Sequence, residues 1–169
     1  MNIILQQAGT SDAPLIAEMA QRIWREHYPS IIGLQQVDYM LDLFYRPEAL
    51  EAQMKEGQVF WLAKDGNEVL GYLGVSQKEP CKYFLHKFYI DNDRRGQGLG
   101  KVILERLMAK YPDMRELRLT VNRQNYKSIN FYFRVGFTIE CCVDIPIGDG
   151  HEMNDFQMLL KLYLPEEQG

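Results

Sequence analysis

The run Ile90-Asp91-Asn92-Asp93-Arg94-Arg95-Gly96-Gln97-Gly98-Leu99-Gly100-Lys101 decides how this chain is read. It stands between an alternating, aromatic-rich segment, Tyr83 to Ile90, and an amphipathic one in which Leu99, Val102, Ile103, Leu107 and Met108 recur at helical spacing. A strand therefore runs into a helix through a turn with three alternating glycines. Lacking Cβ atoms, Gly96, Gly98 and Gly100 let the backbone approach a ligand closely. The helix start leaves N–H groups unpaired, its dipole adds partial positive charge, and Arg94, Arg95 and Lys101 add full charges. Such a turn is a seat for a pyrophosphate or another polyanion.

Two phosphate-binding patterns do not fit. G-x-G-x-x-G requires glycine at 101, where Lys101 stands. G-x-x-x-x-G-K-[ST] fails at both ends, with Arg95 for the first glycine and Val102 after the lysine. The pattern that fits is [QR]-x-x-G-x-[GA], met by Arg95, Gly98 and Gly100.

Working outward, Asn2 to Gln7 reads as an opening strand. Ser11 is positioned to cap a first helix with Pro14 in its first turn. Leu15, Ile16, Met19, Ile23 and Trp24 give that helix a core face, and Pro29 ends it. Helical stretches at Gln35–Phe44 and Pro47–Lys55 follow. Two strands, Gln58–Lys64 and Glu68–Gln77, are joined at Asp65-Gly66-Asn67, a hairpin signal. Beyond the glycine turn and its helix come a strand at Leu117–Val121 and a helix at Asn125–Val135 with Gly136 at C′. Strands at Phe137–Val143 and Phe156–Leu162 close the chain, with a polar loop from Gly148 to Asp155 between them. The order β-α-α-α-β-β-β-α-β-α-β-β predicts one α/β (α+β) domain over residues 1–169. Its mixed central sheet has six to seven strands, antiparallel on the first side, with flanking helices.

Composition narrows the function. A length of 169 residues suits one core, and a net charge of -4 argues against nucleic acid as the main partner. Cys81, Cys141 and Cys142 lack framework spacing and read as reduced thiols of a cytosolic protein. Nothing resembles a membrane span or, at Met1 to Gln7, a signal peptide. His27, His86 and His151 are far apart, and Asp155 replaces the second histidine of H-E-x-x-H, so no metal site is expected.

The second informative run is Leu119 to Phe137. Val121-Asn122, Asn125, Phe131-Tyr132 and Gly136-Phe137 resemble V-N-x-x-N-x-x-A-x-x-F-Y-x-x-x-G-F of the GNAT acetyltransferases, with Ser128 in place of alanine. The glycine turn is similar to the coenzyme A pyrophosphate loop of the same superfamily. The resemblance implies an acetyl-CoA-dependent N-acetyltransferase of the GNAT fold, with acetyl-CoA in a cleft where the Tyr83–Ile90 and Leu117–Val121 strands splay apart. It implies cofactor contacts from Phe88, Tyr89 and Ile90, from Arg95, Gly96, Gln97, Gly98, Leu99, Gly100 and Lys101, and from Asn122, Asn125 and Ser128.

It also implies that Tyr132 protonates the leaving thiolate, a step suited to a phenol with an ordinary pKa of about 10. The alternative for Tyr132 is a buried tyrosine with an ordinary hydrogen bond. Many members place a glutamate on the strand before the loop as the base. None lies between Cys81 and Ile90 here, and His86 is the candidate instead; the arylalkylamine acetyltransferases carry a catalytic histidine at what looks like the matching place. His86 would act directly or through water; the alternative is a histidine that lines the cleft.

For the acceptor side, Trp24, Glu26, Tyr28, Tyr39 and Asp155 combine aromatic rings and carboxylates that suit an ammonium group. Tyr39-Met40-Leu41, Leu85-His86-Lys87, Val121-Asn122-Arg123 and Met153-Asn154-Asp155-Phe156-Gln157-Met158 look like the bacterial polyamine (spermidine/spermine) acetyltransferase branch. The expected substrate is then a small primary amine such as spermidine, and the expected partner a second copy in a homodimer. Two other readings stay open: acetylation of a protein N-terminus or lysine, and a catalytically silent acyl-CoA sensor.

Overall fold

The computed structural model describes residues 1–94 and 96–163. Seven strands are present: β1 Ile3–Gln7, β2 Val59–Asp65, β3 Glu68–Glu79, β4 Lys82–Ile90, β5 Glu116–Asn122, β6 Thr138–Gly148 and β7 His151–Lys161. The helices are α1 Ala13–His27, α2 Pro29–Ile32, α3 Leu34–Tyr45, α4 Pro47–Lys55, α5 Leu99–Ala109 and α6 Tyr126–Arg134. The strands form a mixed sheet in the order β1-β2-β3-β4-β5-β7-β6. The β1–β2, β2–β3, β5–β7 and β6–β7 ladders are antiparallel and β4–β5 is parallel. That parallel ladder is short. It runs from Lys82↔Glu116 to Leu85↔Leu119, although β4 continues to Ile90 and β5 to Asn122.

The chain folds as two compact units, one of Met1–Ser76 with Lys87–Lys110, the other of Gln77–His86 with the chain from Tyr111 onward. In the first unit α1 packs on α3 and α4, and α5 lies against β1. Ile16, Ile23, Phe60, Leu70, Tyr72, Ile103 and Leu107 fill its core. The hairpin at Gly66 forms as its sequence predicts, with Gly66 at φ 60° and Asp65 paired to Glu68. In the second unit Leu117, Leu119, Ile129, Phe137 and Met158 are buried.

Two expectations need correction. Ser11 does not cap α1. It sits in a single 3₁₀ turn, Thr10–Asp12, and the carboxylate of Asp12 instead accepts the Gly9 N–H at 2.8 Å. The stretch from Gly148 to Asp155 is not a loop. Asp149 and Gly150, at φ 51° and 77°, make a two-residue hairpin between β6 and β7, so Asp155 lies within a strand. The backbone there needs positive φ at both turn positions, which Asp-Gly supplies. Along β6 nearly every residue is exposed, including the free thiols Cys141 and Cys142.

Candidate active site

The glycine turn behaves as its composition requires. Gly96 and Gly98 have φ of 80° and 71°, and Gly98 is the left-handed N-cap of α5. Neither would find an obstacle to a Cβ, so backbone conformation alone selects glycine there. Leu99 anchors the helix start at 6% exposure, Gly100 is half-buried, and Gln97 and Lys101 are exposed. The first turn of α5 therefore presents its N–H groups beside an exposed ammonium, an arrangement that fits a pyrophosphate. Arg94 is already engaged by the Glu68 carboxylate. Arg95 lies outside the described residues.

Phe88, Tyr89 and Ile90, at the end of β4, are half-buried. The Tyr89 ring joins an aromatic wall with Trp24 at 5.6 Å, Tyr28 at 6.3 Å and Tyr72 at 5.5 Å. Trp24 and Tyr28 lie 4.4 Å apart, and the Tyr28 and Tyr89 hydroxyls are separated by 3.3 Å. The structure thus brings together two of the residues expected on the acceptor side, Trp24 and Tyr28. Glu26 is exposed and accepts from the Asn92 amide at 2.7 Å, and Tyr39 is half-buried on α3. Behind the wall, Trp24 Nε1 and Tyr72 OH are buried without a hydrogen-bond partner among the described residues. Their polar neighbours are each other and the Tyr45 hydroxyl, in contacts that fall short of hydrogen-bond geometry. Burial pushes the Tyr45 and Tyr72 phenols well above their ordinary values.

The second unit carries the remaining expected residues. Asn125, 2% exposed, caps α6 by accepting the Ser128 N–H at 3.4 Å, and Ser128 is half-buried. Asn122 accepts the Gln124 N–H at 2.9 Å and shapes the turn into that helix. Tyr132, 9% exposed, sits between the rings of Phe131 at 5.4 Å and Phe137 at 5.3 Å. His86 is half-buried, its ring 4.9 Å from Phe84. Asp155, 4% exposed, lies opposite Asn122 on β5 and Val143 on β6. Burial pushes its carboxyl up to about 6, against the opposing pull of the Thr120 hydroxyl.

Two residues of note carried no role in the sequence reading. Arg123 ties three segments at the end of the β5–β7–β6 ladders. It donates to the Val143 and Asp155 carbonyls at 3.3 and 3.2 Å and to the Asp144 carboxylate at 2.8 Å. Lys87 is buried, at 8% exposure, and donates to Gln53 Oε1 at 2.6 Å and Gln58 Oε1 at 2.9 Å. Its Nζ lies over the rings of Phe60 at 5.1 Å and Tyr45 at 5.7 Å. Burial pushes this ammonium down to about 7. The signal was visible: a lysine alternating onto the apolar face of a strand, between Leu85 and Tyr89.

Among the described residues no cluster of His, Cys, Asp or Glu could hold a metal ion, and no helix is long and apolar enough to cross a membrane.

Comparison with known proteins identifies the family. The model of the acetyltransferase (GNAT) family matches residues 17–137. A probable N-acetyltransferase of Mycobacterium tuberculosis is 24% identical over 147 residues, 82% of each chain. An L-methionine sulfoximine/L-methionine sulfone acetyltransferase of Pseudomonas paraeruginosa is 27% identical over 153 residues, again 82% of each. The crystal structure of the PaiA N-acetyltransferase of Thermoplasma acidophilum, in complex with coenzyme A, superposes with a TM-score of 0.78. It is 24% identical and covers 96% of this chain and all of that one. The chain belongs to the GNAT family of acetyl-CoA-dependent N-acetyltransferases.

Proposed function

We propose that this enzyme transfers the acetyl group of acetyl-CoA directly to a primary amine of a small cationic molecule, with polyamines such as spermidine and spermine as the acceptor class. The observation that carries the acceptor is the aromatic wall of Trp24, Tyr28 and Tyr89. Asp91 is paired with Arg22 at 2.6 Å and Asp38 with Arg25 at 2.7 Å, while Glu26 accepts from the neutral Asn92 amide, so the ring faces and the Glu26 carboxylate are the attractions for an ammonium. In this reading the α5 turn from Gly96 to Lys101 holds the pyrophosphate. The β4 backbone from Phe88 to Ile90 bonds the pantetheine amides and polarises the acetyl carbonyl. Asn122, Asn125 and Ser128 line the cofactor path. His86, directly or through water, takes the proton of the attacking amine. Tyr132 returns a proton to the thiolate that leaves.

An alternative acceptor class is an amino-acid derivative. The sulfoximine-acetylating relative acts on a molecule of that kind. A thiol-release assay with acetyl-CoA and a panel of polyamines, amino-acid derivatives, arylalkylamines and peptides decides. Saturable release with spermidine or spermine supports the first class. Release with methionine sulfone and none with polyamines replaces it with the second, and release with peptides alone discards both. The reading includes a cytosolic homodimer. Exposed β6 at the sheet edge and three free cysteines support it, and sedimentation equilibrium giving a monomer would remove the dimer.

A further inference from the structure

A buried lysine needs a reason, because an ammonium out of water is costly unless it is bonded. Lys87 has no carboxylate partner among the described residues. What meets it is polar but neutral: Gln53 from α4, Gln58 from just before β2, the Phe60 ring from β2 and the Tyr45 ring from α3. Tyr45 is the titratable group among these, and its phenol stays protonated.

The cage is oriented for a donor. Gln53 Nε2 gives its hydrogen to the Phe44 carbonyl at 2.9 Å, which turns Oε1 toward Lys87. Gly74 on β3 makes room for the other acceptor, since a Cβ there would lie 2.2 Å from Gln58 Oε1. Lys87 also follows the end of the β4–β5 ladder. It is the second residue after Leu85, the last on β4 to pair with β5, and it directly precedes Phe88, Tyr89 and Ile90.

We propose that Lys87 is a positioning residue, whose ammonium pins the middle of β4 to α4 and β2 and so sets the Phe88–Ile90 backbone for the pantetheine arm of acetyl-CoA. The proposal rests on the reading that this backbone bonds the pantetheine amides. The pin acts through three neighbouring elements of the same unit and does not touch the ligand. Lys87 therefore governs affinity for one part of acetyl-CoA while leaving the α5 turn, which holds another part, undisturbed.

The test compares binding of acetyl-CoA with binding of the pantetheine-free nucleotide fragment of coenzyme A, by calorimetry, in wild type, Lys87→Met and Gly74→Ala. Lys87→Met keeps the length and removes the donor. Gly74→Ala leaves Lys87 in place and pushes away only the flexible end of Gln58, so it tests the pin even if the first variant folds poorly. The expected result for Lys87→Met is about tenfold weaker acetyl-CoA binding with the nucleotide fragment unchanged. Gly74→Ala should show the same selectivity with a smaller loss. Unchanged acetyl-CoA affinity in both variants, or equal loss of both ligands, overturns the proposal. A wild-type protein that binds acetyl-CoA no tighter than the fragment removes the β4 reading itself, and the role of Lys87 with it.

Discussion

Gly71 on β3 passes so close to β4 that a Cβ on it would lie 2.3 Å from the Tyr89 carbonyl oxygen and 3.0 Å from the Ile90 Cα. These are backbone atoms, so the clash cannot be relieved by a side-chain rotation. The Asp91 N–H, bonded to the Leu70 carbonyl at 2.7 Å, fixes the same crossing. Gly71→Ala must therefore push the end of β4 away from β3. The expected outcome is a loss of about 1–3 kcal/mol in stability, read by urea unfolding, together with a raised KM for acetyl-CoA. A variant as stable and as tight as wild type would show that β4 has slack at this point.

Tyr132 offers a cleaner separation of chemistry from structure. Its ring packs between Phe131 and Phe137, and phenylalanine preserves those contacts. Tyr132→Phe should fold normally and bind acetyl-CoA as wild type does, while kcat falls by about 10²-fold or more. Steady-state kinetics beside calorimetric binding checks both halves. An unchanged kcat would return Tyr132 to the role of an ordinary buried tyrosine.

Legibility in the sequence followed the range of the interactions. The glycine turn and the run from Val121 to Phe137 are local, because backbone freedom at Gly96 and Gly98 and the cap at Asn125 are set within a few residues. The role of Lys87 depends on Gln53 and Gln58, which lie 34 and 29 residues away, and no local spacing encodes that meeting. The ion pair of Arg94 with Glu68, 26 residues earlier, is likewise not encoded by local spacing. The hairpin at Asp149-Gly150 was signalled by its dipeptide, but β6 is exposed along most of its length and so lacks the alternation that marks a half-buried strand.

The pH dependence of stability isolates Lys87. Its ammonium titrates near 7 in the folded protein and at the ordinary 10.5 in the unfolded chain. Between those values the unfolded chain holds a proton that the folded protein has released. Stability therefore rises with pH across that window, by at most about 1.4 kcal/mol per pH unit, and the cost of burial is fully present below pH 7. Lys87→Met should flatten this rise, measured as the urea midpoint at intervals from near neutral to alkaline pH. A rise of the same slope in the variant would mean that another group carries it.

Asp155 has the opposite sign. Its carboxyl titrates at about 6 in the folded protein against 3.8 in the unfolded chain, because burial disfavours the charge. Between those values the folded protein holds the extra proton, so stability falls as pH rises through the window and the penalty is complete above about 6. Asp155→Asn removes the charge and keeps the shape. It should stabilise the protein at neutral pH by about 3 kcal/mol and leave acid stability nearly unaltered. If this carboxylate faces a cationic acceptor, the same substitution should also raise KM for the amine while KM for acetyl-CoA stays put, a gain in stability at the expense of function. Denaturation at pH 5 and pH 8 checks the first part and two-substrate kinetics the second. Greater stability with unaltered amine KM would make Asp155 a buried strain of the β7 strand with no part in the acceptor site.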